Sequence, residues 1–259
     1  MIGASAREKP PVDLTSVWGY AADNQPIEAR VALKKLDDLD ERSRALAGAV
    51  LDMARPPLAE GDWNEIEPVL ERLAAGDDPI AAQAQYLRAR MYQVHRSVPD
   101  YVRAEQLYRE LARRWPGSHW AQLGYVKLGL AKLFALPEPR DARVRLQQVA
   151  ALLTEIQEPT LRRDLQLQMG WAGLFHDLPL DEVLPHLIAA EAVGGMMGIT
   201  PEDLTIQIGE LSFRAGHLAQ AKLYFEKFLE IYPSNTRRFN VRQRLQQVLD
   251  ALAHKGEAP

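Results

Sequence analysis

The side chains best able to do chemistry in this sequence are six histidines, His95, His119, His176, His186, His217 and His254, and they are scattered. A zinc site on one helix needs two histidines four residues apart, so that both rings reach one ion from the same face. No pair has that spacing. His176, Asp177 and His186 come nearest to a metal cluster, but they straddle the Leu178-Pro179-Leu180 break, where such residues cap helix ends. The run Gly194-Gly195-Met196-Met197-Gly198 has the glycine content of a phosphate loop. It follows a helical segment rather than a strand and has no lysine nearby, so Gly194 reads as a helix C-cap with a linker after it. No G-x-S-x-G elbow is present, and the acidic pairs Asp37-Asp38 and Asp77-Asp78 lie in polar surroundings. With no cysteine, thiolate metal sites, disulfides and a cysteine nucleophile are excluded. The expectation is a non-catalytic chain without metal ligands or a cofactor.

The composition supports a folded chain: 47% apolar and 25% charged residues over 259 positions suffice for a core and a solvated surface. A formal net charge of −4 gives no general attraction to nucleic acid. The arginine pairs Arg113-Arg114, Arg162-Arg163 and Arg237-Arg238 have acids nearby and read as solvated faces. No apolar run reaches the roughly 18 residues of a membrane span. Near the start, Ala4-Ser5-Ala6 has the form of a signal-peptidase site, with no charged or apolar region before it.

The elements that would position any site are helices. Residues 1–25, with Pro10 and Pro11, read as a loose leader. From Pro26 on, apolar residues recur at three- and four-residue steps; Ile27, Val31, Leu33, Leu36, Leu39, Leu46, Val50, Leu51 and Met53 predict one amphipathic helix that stops at Arg55-Pro56-Pro57. Asp62 and Glu65 form a D-x-x-E cap for a second helix ending at Gly76, and a third follows Pro79. Thr200-Pro201-Glu202-Asp203 carries an N-cap hydroxyl, a first-turn proline and acids at the positive helix end. Segments 62–76 and 181–195 read as second helices with a proline in the first turn, Pro68 and Pro185. Short breaks throughout predict roughly eleven helices in antiparallel pairs, and no strand.

A repeat is visible in AGHLAQAKLYFEKFLEIYPSN, residues 215–235. Gly209, Gly216, Ala221, Phe225 and Pro233 fit a helix-turn-helix unit of about 34 residues. Gly209 and Ala221 would mark the closest helix approach, Gly216 the turn, Phe225 the filler between neighbouring pairs, and Pro233 the end. Ala104, Tyr108 and Pro116 repeat the last three intervals, and Trp120, Leu123 and Gly124 follow in W-x-x-L-G form. This resembles the tetratricopeptide repeat, over about residues 27–254. Thr205, Ser212 and Lys127 depart from the usual aromatics of the first helix. The resemblance implies an all-α chain wound as a right-handed α–α superhelix of about five helix pairs. A repeat domain would span 26–254, with its clearest copies at 84–117 and 201–234, a capping helix over 235–254 and a tail at 255–259. The runs YRELARRWPGSHWAQLG and YFEKFLEIYPSNTRRFN look like the bacterial cell-envelope branch of that family, which includes an outer-membrane assembly lipoprotein. The lipoprotein's lipidated cysteine is absent here.

Such solenoids hold a peptide or partner helix on their concave side. The groove candidates are Tyr86, Arg90, Gln93, Tyr125, Glu210, Phe213 and Gln243, since aromatics and arginine bury much surface at small entropic cost. A clamp for a terminal carboxylate is not expected: Ile206 and Glu210 stand where lysine and asparagine would be needed, and Asn240 is isolated on the last helix. That helix carries Arg238, Arg242 and Arg244 on its polar side and Val241, Leu245, Val248, Leu249 and Leu252 on its apolar side. The reading is thus an interaction scaffold with a protein or peptide partner, no nucleic acid and no membrane span, able to self-associate through its ends. Its location is periplasmic or envelope-associated on the resemblance, with a cytoplasmic regulatory or self-assembling protein as the alternative.

Overall fold

In the computed structural model, residues 14–54 and 58–256 are described; Ala4-Ser5-Ala6, Pro10-Pro11 and Arg55-Pro56-Pro57 lie outside them. Among the described residues there are thirteen α-helices, two π-helical turns and no strand. The chain divides into two compact units, Met1–Ala121 and Gln122–Pro259.

The first unit holds α1 (Leu14–Ala22), α2 (Pro26–Lys34), α3 (Glu41–Met53), α4 (Glu60–Ala74), α5 (Pro79–Arg90) and α6 (Tyr101–Arg114). Helix α7 (His119–Leu130) starts in it and continues into the second. The second unit goes on with α8 (Ala142–Leu153), α9 (Pro159–Phe175), α10 (Leu180–Val193), α11 (Thr200–Arg214), α12 (Leu218–Ile231) and α13 (Arg238–Gly256). The π turns, Met91–His95 and Ala131–Ala135, extend α5 and α7.

Each core is built by consecutive helices. Val17 of α1, Leu33 of α2 and Leu51 of α3 share one cluster; Leu46 of the same α3 turns the other way, onto Trp63 and Leu70 of α4 and Met91. In the second unit Leu187 of α10 packs with Ile208 of α11, and Phe225 and Phe228 of α12 pack with Val241 and Val248 of α13. A helix with one apolar stripe could not serve two such clusters, which is why the central helices are apolar on two sides.

Several expectations are corrected here. Leu14–Ala22, placed in the loose leader, is helical and buries Val17. The single helix predicted from Ile27 to Met53 is two, because the Arg44 side chain donates to the carbonyls of Leu33 (2.9 Å), Leu36 and Leu39 and so satisfies the turn between them. Roughly eleven helices become thirteen. Helices α3, α5, α7, α9, α11 and α13 begin at residues 41, 79, 119, 159, 200 and 238, at intervals of 38–41 residues. Gly209 meets Phe225, 16 positions on, whereas Gly129 meets Val149, 20 positions on, with a π turn and an extended linker between. Asp62 lies inside α4, its carboxylate accepting from Ala59 N (2.7 Å), and Thr200 is the first helical residue rather than the cap. Pro68 sits mid-helix in α4 and Pro185 inside α10. The recurrent caps are aspartates: Asp40, Asp78, Asp100 and Asp141 accept backbone N–H groups at the starts of α3, α5, α6 and α8.

The arginine pairs are not simply solvated. Arg114 donates to Ala74 O and Gly76 O (both 2.8 Å), Arg162 to Leu153 O (2.7 Å) and Ile156 O (2.9 Å), and Arg163 to Gly194 O (2.8 Å). Each guanidinium takes the carbonyls that a helix end leaves unpaired. Arg237 instead binds Glu202 (2.9 Å) and Asp203, tying the start of α13 to the start of α11.

Candidate functional site

Three of the groove candidates belong to the first unit, where α5 and its π turn place them together. Tyr86 is buried, its ring 5.3 Å from Trp120 and 6.2 Å from Tyr108. Gln93, also buried, accepts from Arg90 Nη1 (2.8 Å) and from the Tyr108 hydroxyl (2.7 Å). Tyr86 and Gln93 are therefore spent on packing and internal hydrogen bonds, because the π turn rotates Gln93 toward α6. Burial pushes the Tyr108 phenol well above its ordinary value. In the unfolded chain it ionises near pH 10, so the folded state loses stability as pH rises past about 10. Tyr108→Phe is expected to cost about 1 kcal/mol at neutral pH and to flatten this alkaline loss in urea titrations. Gln85 and Arg88 extend the polar interior: Gln85 donates to Glu110 (3.1 Å), and Arg88 to Glu71 (2.7 Å).

Of the candidates in the second unit, Glu210 and Gln243 share an open cleft. Its volume is about 430 Å³, and Ile206, Arg237, Asn240, Val241, Arg244 and Gln247 also line it. Arg244 Nε donates to Glu210 (2.8 Å), and its guanidinium carbon lies 5.7 Å from the Phe213 ring centroid, so Phe213 supports the wall. Tyr125 is half-buried on α7 and lies outside this cleft. Asn240, taken as isolated, shares a helix face with Gln243 and Gln247. Their i, i+3, i+7 spacing was visible in the sequence, whereas the ion pairing of Arg244 with Glu210 needed the fold. Arg242 and Arg238, read with Arg244 as one polar side, fall on the opposite flank of the buried Val241 and Val248 stripe.

Sequence reading also missed an aromatic patch. Trp171 and Phe175 stand one turn apart on α9, and Phe134 of the second π turn meets Phe175 edge-on at 6.5 Å; Phe175 is 74% exposed.

Among the residues weighed for chemistry, His217 Nε2 lies 2.5 Å from Asp181 Oδ1, and His186 Nδ1 lies 2.7 Å from Gln166 Oε1. The His176 Nε2 atom is buried, with no hydrogen-bond partner among the described residues. Among the described residues, no three His, Asp or Glu side chains are grouped as a metal site would need. Gly194, Gly195 and Gly198 all take positive φ near 70°, and Arg163 holds the first carbonyl. Burial holds His186 below its ordinary value. It contributes stability that is present above about pH 6.5 and lost as pH falls through its lower folded value. His186→Gln is expected to remove that part of the acid slope in thermal melts taken from pH 7.5 to 5.

No protein-family model matches the chain, and no curated protein matches it significantly.

Proposed function

We propose that the protein is a non-catalytic interaction scaffold, built of tetratricopeptide-like helix pairs that continue as a right-handed superhelix within each unit. The observation that carries the reading is the α11–α13 cleft, lined by Glu210 and Gln243, two of the groove candidates, with Arg244 paired to Glu210 and lying over the Phe213 ring behind it. A repeat reading is supported by two matching joints. Trp115 (φ −127°, ψ 62°) and Tyr232 (φ −119°, ψ 57°) close α6 and α12 with the same backbone conformation, each N–H bonded four residues back at 2.9 Å. Each precedes the proline, Pro116 or Pro233, that prevents the helix from continuing.

The partner in this reading is a protein or peptide seated in the cleft. A photocrosslinking amino acid at Gln243 is expected to trap a defined partner in the native cell, while the same group at Leu223, exposed on α12, traps none. Equal products at both positions, or none at Gln243, would sink the reading. An envelope location is part of the proposal and rests on the runs at 108–124 and 224–240; fractionation of native cells tests it separately.

A further inference from the structure

Another cleft opens in the second unit and shares no residue with the one between α11 and α13. Its volume is about 190 Å³, and it lies between α8 and α10. Leu146 and Ala150 stand one turn apart on α8, facing Glu182 and His186, one turn apart on α10. Met169 of α9, fully buried, forms the base. At the rim Arg143 of α8 grips Glu182: Nε donates to both carboxylate oxygens (3.1 Å each) and Nη2 to Oε1 (3.0 Å). These two charges match each other, and a charged ligand would have to separate them.

His186 supplies the directional contact. Its Nδ1 lies 2.7 Å from Gln166 Oε1 on α9. A carbonyl oxygen can only accept, so Nδ1 holds the ring proton and Nε2 is an acceptor. Nε2 makes no hydrogen bond among the described residues. The groups that face the ring are Gln166 from α9, Arg143 from α8 and Glu182 from its own helix. Burial keeps the ring neutral at neutral pH. A lone pair thus stands beside apolar walls, where a donor brought by a ligand meets less competition from water than at the surface.

Size narrows the ligand class. Sites for drug-sized molecules begin at about 300 Å³, and an apolar cavity of about 150 Å³ holds benzene. A single ring with one small substituent matches about 190 Å³. The thioether of Met169 favours an aromatic ring over an aliphatic one. We propose that the α8–α10 cleft binds a small, uncharged, phenol-like compound, its ring against Leu146, Ala150 and Met169 and its hydroxyl donating to His186 Nε2. This site does not depend on the scaffold reading, since no residue of α11, α12 or α13 takes part.

Phenol would be titrated into the whole chain with isotopically labelled methionine methyls, and followed by NMR. Toluene and anisole, which have the ring but no donor, are the controls, and Met169→Leu assigns the Met169 signal. The expected result is a saturable shift of that signal by phenol. His186→Phe removes the acceptor and is expected to weaken phenol about fivefold or more, while toluene binds as tightly as before. Ala150→Trp, at an exposed position, fills the cleft and is expected to abolish binding of both; it tests the site even where His186→Phe does not fold, which circular dichroism checks. No shift of the Met169 signal, or a shift that survives Ala150→Trp, would overturn the site. Phenol binding unchanged by His186→Phe, or anisole binding the parent as tightly as phenol, would overturn the donor contact and the ligand class with it.

Discussion

Phe225→Ala is expected to lower stability by about 3–5 kcal/mol, the cost of removing a fully buried aromatic ring from a packed site. Phe225 has no solvent exposure and sits among Leu218, Ala221, Phe228 and Val241. Its ring lies where a Cβ on Gly209 would fall, 2.7 Å from Cε1 and 2.9 Å from Cδ1. Gly209→Ala would therefore destabilise, although alanine ordinarily favours a helix by about 1 kcal/mol over glycine. The ring is rigid and enclosed, so the overlap can be relieved only by shifting α12; about 1–3 kcal/mol is the expected cost. The pair is coupled: Gly209→Ala combined with Phe225→Leu is expected to lose less than the sum of the single variants. Urea unfolding of the whole chain measures each loss, and hydrogen exchange in α11 and α12 locates it. Additive losses would show that ring and glycine are not the paired surfaces described.

Arg145→Met is the second large effect. The guanidinium is buried and donates to Pro139 O (2.5 Å) and Lys132 O (3.0 Å), holding the π turn Ala131–Ala135 and its linker against α8. Methionine keeps the volume but strands these carbonyls, at an expected cost of about 2–4 kcal/mol. Lysine is not expected to restore it, because one ammonium cannot span acceptors placed for a planar fork. Faster hydrogen exchange over residues 131–141, relative to α12, would distinguish this from global loss. Unchanged exchange there would mean that the turn is held by its own backbone.

The helical class and the second unit's best joint were legible because local chemistry decides them. Gly209, Gly216, Ala221, Phe225 and Pro233 have steric roles that spacing alone reveals, and the structure gives Gly216 a φ of +78° at the turn. The split of α2 from α3 was not legible, since the apolar period runs through the break and the stabilising donor, Arg44, acts from the next helix. The π turns were hidden for a similar reason: one inserted residue shifts the facing of a helix without changing its composition. That is why Gln93, placed at a groove by counting, is inside. Glu210 and Gln243 do line one cleft, and they stand on α11 and α13, which are regular, so counting along them keeps its phase.

The guanidinium–carbonyl joints set the surroundings the fold can endure. At Arg44, Arg145 and Arg162 the guanidinium is held by main-chain oxygens. The carbonyl acceptor has no titratable proton. The attraction is between a charge and a dipole in direct contact, over distances much shorter than the screening length of physiological salt. These fastenings would hold in brine that loosens exposed pairs such as Arg143 with Glu182.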